Sequence, residues 1–213
     1  MTTTTHDLWP TAHAARAALA DDLADLTGAQ WATPSLCAGW TVREVVAHLT
    51  AAASVGPLRW TWSVLRSRFD FDRHNADRLA EHLGASPAET LVRFRRIIPS
   101  TTSTFGPVEA WLGEVVVHAE DVRRPLGLVH HEPVEAVTPV AEFFASRDFT
   151  VPGRTLGAGL RLEATDGPFT TGSGPLVSGP TLALTMALAG RRAHLDDLAG
   201  DGVAELARRV SAL

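Results

Sequence analysis

The chain has 213 residues, 45% hydrophobic and 20% charged, with net charge −5; it is long and apolar enough for one large or two small domains, which excludes a disordered chain. Its basic residues are scattered arginines with no lysine, so it has neither a basic stripe for nucleic acid nor a lysine for Schiff-base chemistry. No apolar run reaches the roughly 20 residues of a bilayer span, the start MTTTTHD lacks the blocks of a secretory signal, and the single cysteine, Cys37, rules out an internal disulfide or an all-cysteine metal site; the expectation is a cytoplasmic monomer or homodimer.

After the Thr-rich start, Pro10 suits a first helical position, and the pattern through Leu19, Leu23 and Leu26 runs to Gly28, a C-terminal cap. Residues 30–39, with Pro34 and Gly39, form a connection. A helix begins at Thr41, which has the capping-box spacing with Glu44, while Trp40 and Val45 are placed to close a hydrophobic staple. Val42, Val45, Val46, Leu49 and Ala53 then share one apolar face, with His48 on its flank. Gly56-Pro57 ends that helix, and further helical stretches are expected over residues 58–69 and 72–83. Ser86-Pro87-Ala88-Glu89 repeats the capping-box spacing and predicts a helix from Pro87 to about Ser100. Gly106-Pro107 opens another, carrying residues 111–124, which Pro125 and Gly127 stop. Four or more helices with short loops make a helical bundle.

One more helix is expected over residues 133–146. Gly and Pro then become frequent, and residues 160–164 alternate apolar with polar, as a half-buried strand does. Thr165-Asp166-Gly167-Pro168 predicts a hairpin turn into residues 169–171, and helices follow over 181–189 and 203–210. The predicted organisation is a bundle over residues 1–149 and a small α/β domain over residues 150–213.

The chemistry centres on the helix at 111–124. Val108, Trp111, Val115, His118 and Val122 form one stripe with Glu114 at its edge, and Glu114 and His118 are spaced i, i+4, so both project to one point. An ionised carboxylate buried against Trp and Val needs a cationic partner. For this helix alone, a metal ion and an ion pair with an arginine or with His118 itself are equally open. His48 alone is the kind of histidine that more often makes an ordinary buried hydrogen bond. Together, two imidazoles and one carboxylate make three protein ligands, the number catalytic zinc sites use, with a fourth position left for water or substrate. The same donors admit other divalent metals.

Other candidates have plainer readings. Cys37, just ahead of a helix N-terminus, is either a nucleophile or a small buried apolar residue. His130-His131, with Glu132, reads as an exposed loop. Asp70, Asp72, His74, Asn75 and Asp77 line a pocket or begin a solvated helix, Trp60 and Trp62 belong to the core, and Arg93, Arg95 and Arg96 form a solvated face.

At residues 39–49 (GWTVREVVAHL), followed by Glu-x-x-x-His at 114–118 and Asp-Val-Arg-Arg-Pro-Leu-Gly at 121–127, the chain resembles the mycothiol-dependent maleylpyruvate isomerase family of actinobacteria. The tail, with Gly179-Pro180 and Ala189-Gly190-Arg191, is similar to that family's small C-terminal α/β domain. The resemblance implies a mainly α protein, a DinB-like four-helix bundle followed by the small α/β domain. It implies metal ligands at His48, Glu114 and His118, zinc first among the metals, with mycothiol as cofactor and Arg191 as a catalytic arginine able to hold a substrate carboxylate. Ala38 stands where relatives commonly carry proline, a difference confined to the loop. The implied activity is isomerisation of a maleylpyruvate-like compound, or S-transfer to a small electrophile, by a thiolate activated at the metal. A metal-dependent hydrolase using an activated water and a non-enzymatic metal- or ligand-binding module are the alternatives.

Overall fold

Residues 7–54, 56, 79–103 and 106–213 are described by the structure, a computed structural model. The helix expected over residues 58–69 lies outside them, as do Trp60, Trp62, Asp70, Asp72, His74, Asn75 and Asp77. The one expected over 72–83 is described, and helical, only at 79–83. The chain forms two units, Met1–His130 and His131–Leu213.

In the first unit α1 (Trp9–Asp22), α3 (Val42–Ala52), α4 (Pro87–Arg96) and α5 (Val108–Leu126) build a four-helix bundle, with the short α2 (Gly28–Trp31) leading into α3. Helices α1 and α3 each pack on both α4 and α5, which closes the ring. Its interior is the set of apolar faces visible in the sequence, including Leu19, Leu23, Val42, Val45, Val46, Leu49, Phe94 and Val122. The buried Arg16 of α1 satisfies the end of α4, donating to the carbonyls of Ile97 at 3.3 Å, Ile98 at 3.5 Å and Ser100 at 2.7 Å, which no helical N–H can reach.

Local chemistry sets the helix starts. At Thr41 both halves of the capping box form: Glu44 Oε2 accepts the Thr41 N–H at 2.7 Å, and Thr41 Oγ accepts the Glu44 N–H at 3.4 Å. At Ser86 only the forward half forms, because Glu89 accepts from Ala85 instead, at 2.7 Å. Gly28 does not cap α1. A second capping box, Thr27 with Gln30, makes it the first residue of α2. Nor does Pro125 stop α5, which runs through it to Leu126 and ends at Gly127 in the left-handed conformation, φ 65°. A proline in a last turn forfeits only one backbone bond, and glycine supplies the reversal.

The second unit comprises α6 (Val134–Ser146), α7 (Gly153–Gly157), β1 (Arg161–Ala164), β2 (Thr170–Gly172), β3 (Leu176–Gly179), α8 (Thr181–Leu188), a 3₁₀ turn (Arg192–Asp197) and α9 (Val203–Val210). The sheet order is β2-β1-β3. The expected hairpin is present, with Leu162 opposite Thr171, while β3, which the sequence reading does not anticipate, adds parallel to β1 with Leu162 beside Val177. The division between units falls at His130/His131 and not near Thr150, because α6 buries Val137, Val140, Ala141, Phe143 and Phe144 within the second unit, where it packs on α7 and α8. An amphipathic helix does not announce in its own sequence which neighbour it will cover.

Candidate metal centre

His48 and the Glu114/His118 pair come from facing helices of the bundle. Helix α3 carries His48 two turns beyond its capping box, with the Trp40 ring packed against the imidazole at 4.9 Å between centroids. Helix α5 carries Glu114 and His118 on adjacent turns. The structure brings all three together: His48 Nε2 lies 2.6 Å and His118 Nε2 3.4 Å from the same oxygen, Glu114 Oε1. The two imidazoles meet edge to face, their centroids 5.1 Å apart. About a quarter of the His48 and Glu114 side chains remains accessible, 27% and 25%, so the cluster is partly exposed.

Its electrostatics follow from that convergence. Burial pushes the Glu114 carboxyl up, but the His118 charge and hydrogen bonds from His118 and His48 overcome this and hold it well below the ordinary carboxylate range. Burial pushes His118 down, and the Glu114 charge together with hydrogen bonds to Asp121, Cys37 and Glu114 raises it well above an ordinary histidine.

The donor set suits a divalent cation. The ligand atoms of His48, Glu114 and His118 lie within 4.8 Å of one another, and tetrahedral zinc with bonds near 2.0–2.1 Å separates its ligands by about 3.3 Å. Only small side-chain shifts divide the two arrangements.

Two neighbours escape a reading that looks for ligands alone. Asp121 Oδ2 is 2.9 Å from His118 Nδ1, and the Cys37 thiol donates to the same oxygen at 3.0 Å while lying 3.4 Å from His118 Nδ1. Cys37 packs against the core of the bundle, as a small apolar residue does, and its thiol also joins this network. Its loop is tied down by Ser35, whose hydroxyl donates to the Trp40 carbonyl at 2.8 Å, and by the Leu36 N–H, which donates to the Asp121 carbonyl at 3.1 Å. The signal for Asp121 was its i, i+3 spacing from His118, which puts both on one face.

Arg191 is in the second unit, at the start of the 3₁₀ turn, and donates to the Ala189 carbonyl at 2.8 Å. His131 is exposed in a loop, Arg95 and Arg96 are exposed on α4, and Arg93 pairs with Glu89 at 2.5 Å. Among the described residues no helix is long and apolar enough to cross a membrane.

Comparison with known proteins bears on the fold and the family. No curated protein sequence matches the chain. A crystal structure of the mycothiol-dependent maleylpyruvate isomerase shares the fold, with a TM-score of 0.64 at 18% identity, covering 94% of this chain and 96% of that one. A mutant of that enzyme, a histidine replaced by alanine, matches with a TM-score of 0.62 at the same identity and coverage. The family described as the mycothiol maleylpyruvate isomerase N-terminal domain matches residues 12–123, more than half of the chain and nearly all of the bundle. This chain belongs to that family.

Proposed function

We propose that the chain is a metal-dependent enzyme that uses mycothiol, or a closely related small thiol, to isomerise a maleylpyruvate-like compound or to join the thiol through its sulfur to a small electrophile. The observation that carries this reading is the convergence of His48 Nε2 and His118 Nε2 on one oxygen of Glu114 in a partly exposed cluster. His48, Glu114 and His118 would hold the ion, zinc first among the candidates, since three protein ligands leave a position free for a reactant. A divalent cation bound there would supply the positive charge that stabilises a thiolate at neutral pH, the proton passing to water.

The chain's own residues do the rest. The Thr41–Glu44 box and the Trp40 ring fix the angle at which His48 is presented and cover one side of it. Glu114 would cancel one of the two charges of a divalent ion, leaving one positive charge for the thiolate sulfur to balance. Arg191 is the guanidinium we assign to a substrate carboxylate, for which its planar fork is suited. We place the enzyme in the cytoplasm, where a small-molecule thiol remains reduced.

The test is zinc content of the purified chain beside His48→Ala, followed by turnover of a maleyl-type electrophile with and without mycothiol. The expected result is zinc in the wild type, none in the variant, and turnover that requires both zinc and thiol. Equal zinc in both proteins would overturn the site, and turnover without thiol would point to a hydrolase.

A further inference from the structure

The centre contains one buried carboxylate that the proposed chemistry does not use. The Asp121 side chain is fully buried, 0% exposed, and sits one turn after His118 on α5. A carboxylate in such a place needs donors, and His118 Nδ1 at 2.9 Å and the Cys37 thiol at 3.0 Å both reach its Oδ2. The two ring nitrogens of His118 therefore face different partners, Nδ1 towards Asp121 and Nε2 towards Glu114. An imidazole that keeps its proton on Nδ1 for a carboxylate offers the lone pair of Nε2 to whatever lies opposite, and is held against rotation.

We propose that Asp121 is the positioning residue of this centre: it fixes His118 with the proton on Nδ1 and Nε2 aimed at the ion, and through the Cys37 thiol it holds the loop from which α3 and His48 start. This inference rests on the reading that His48, Glu114 and His118 hold a divalent cation. Cys37 acts as a donor to the carboxylate oxygen that His118 also reaches, not as a nucleophile. Asp121 binds one side chain from each half of the centre, so its loss relaxes both together. Cys37, His118 and Asp121 are themselves close enough to ligate a cation, and the experiment separates that arrangement from the one proposed.

Zinc alone is titrated into the full chain against a chromophoric chelator, for the wild type and for His48→Ala, Asp121→Asn, Asp121→Ala and Cys37→Ala. Removing such an outer-shell carboxylate weakens zinc by about 10–100-fold, so Asp121→Ala is expected in that range. Asp121→Asn, whose amide oxygen still accepts from Nδ1, falls between it and wild type, and Cys37→Ala changes affinity least. Circular dichroism of the zinc-free proteins shows which variants fold. A ¹⁵N spectrum of the zinc-loaded wild type, which needs no variant, should show His118 with a proton on Nδ1 and the metal on Nε2. Zinc on Nδ1, or Asp121→Ala binding as tightly as wild type, overturns the proposal. Zinc retained in His48→Ala but lost in Cys37→Ala assigns the ion to the other cluster and overturns it as well. No zinc in wild type, or equal zinc in wild type and His48→Ala with Cys37→Ala unaffected, defeats the underlying metal reading and this inference with it.

Discussion

Helices α5 and α8 each run through the interior of their own unit, yet they bury different things. Along α8 the buried residues are Thr181, Ala183, Leu184, Thr185, Met186, Ala187 and Leu188. Its polar groups are satisfied locally: the Thr185 hydroxyl bonds the Thr181 carbonyl at 2.8 Å, and Asp166 caps the helix by accepting from Thr181. Helix α5 buries Glu120, Asp121 and Arg123 among its valines. An apolar surface accepts any neighbour of suitable volume, whereas a buried charge requires a particular partner in a particular place. The second unit can therefore drift in sequence while keeping its volume, and the bundle has positions whose identity is fixed by chemistry.

The comparison is tested most strongly by removing one buried side chain from each helix. Arg123 is fully buried, with Nε 2.7 Å from Asp22; breaking such a pair costs about 3–5 kcal/mol. Leu184→Ala in α8 is expected to cost about 2–5 kcal/mol. Urea unfolding should give similar losses for Arg123→Ala and Leu184→Ala, but adding Asp22→Asn to an Arg123→Met variant should recover much of the first loss. If the double variant is no more stable than Arg123→Ala, the buried charge is not what distinguishes the bundle.

Helix caps sharpen the contrast at smaller cost. Thr41→Ala and Asp166→Ala each remove a cap and should each lose about 1 kcal/mol. Only Thr41→Ala should also weaken zinc in a chelator titration, because the helix it frays carries His48. The smallest effect belongs to the exposed Glu205, held at about 2 by hydrogen bonds from Arg208 and Arg209. A folded value below the ordinary carboxyl range means that the pairing stabilises the chain above that range and is lost as pH falls through about 2. The urea midpoints of wild type and Glu205→Gln should thus differ slightly at neutral pH and converge in acid, with zinc affinity equal throughout.

Much of the bundle was legible because its signals are local. A capping box needs only residues three apart, and Glu114 with His118 needs only one turn, so α3, its apolar face and the facing pair follow from spacing. What failed was set by distance. Gly28 resembles a cap until Thr27 and Gln30 claim it for α2, and the apolar face of α6 does not say in its own sequence which unit it covers. The strand β3 is four residues long, closed by Gly179-Pro180, with too little alternation to stand out. Asp121 and Cys37 are 84 positions apart, and no sequence pattern joins them.

One backbone detail of α5 has a consequence for how that pair comes together. In an α-helix the carbonyl of residue 121 is normally claimed by the N–H of residue 125. Here that residue is proline, which has no N–H to give, and the Leu36 N–H takes the carbonyl at 3.1 Å. With any other residue at 125, helix and loop would share that oxygen. Pro125 removes the competitor and leaves a spare acceptor reserved for one incoming segment, so a residue that looks like an end to the helix decides which stretch of chain closes over its histidine.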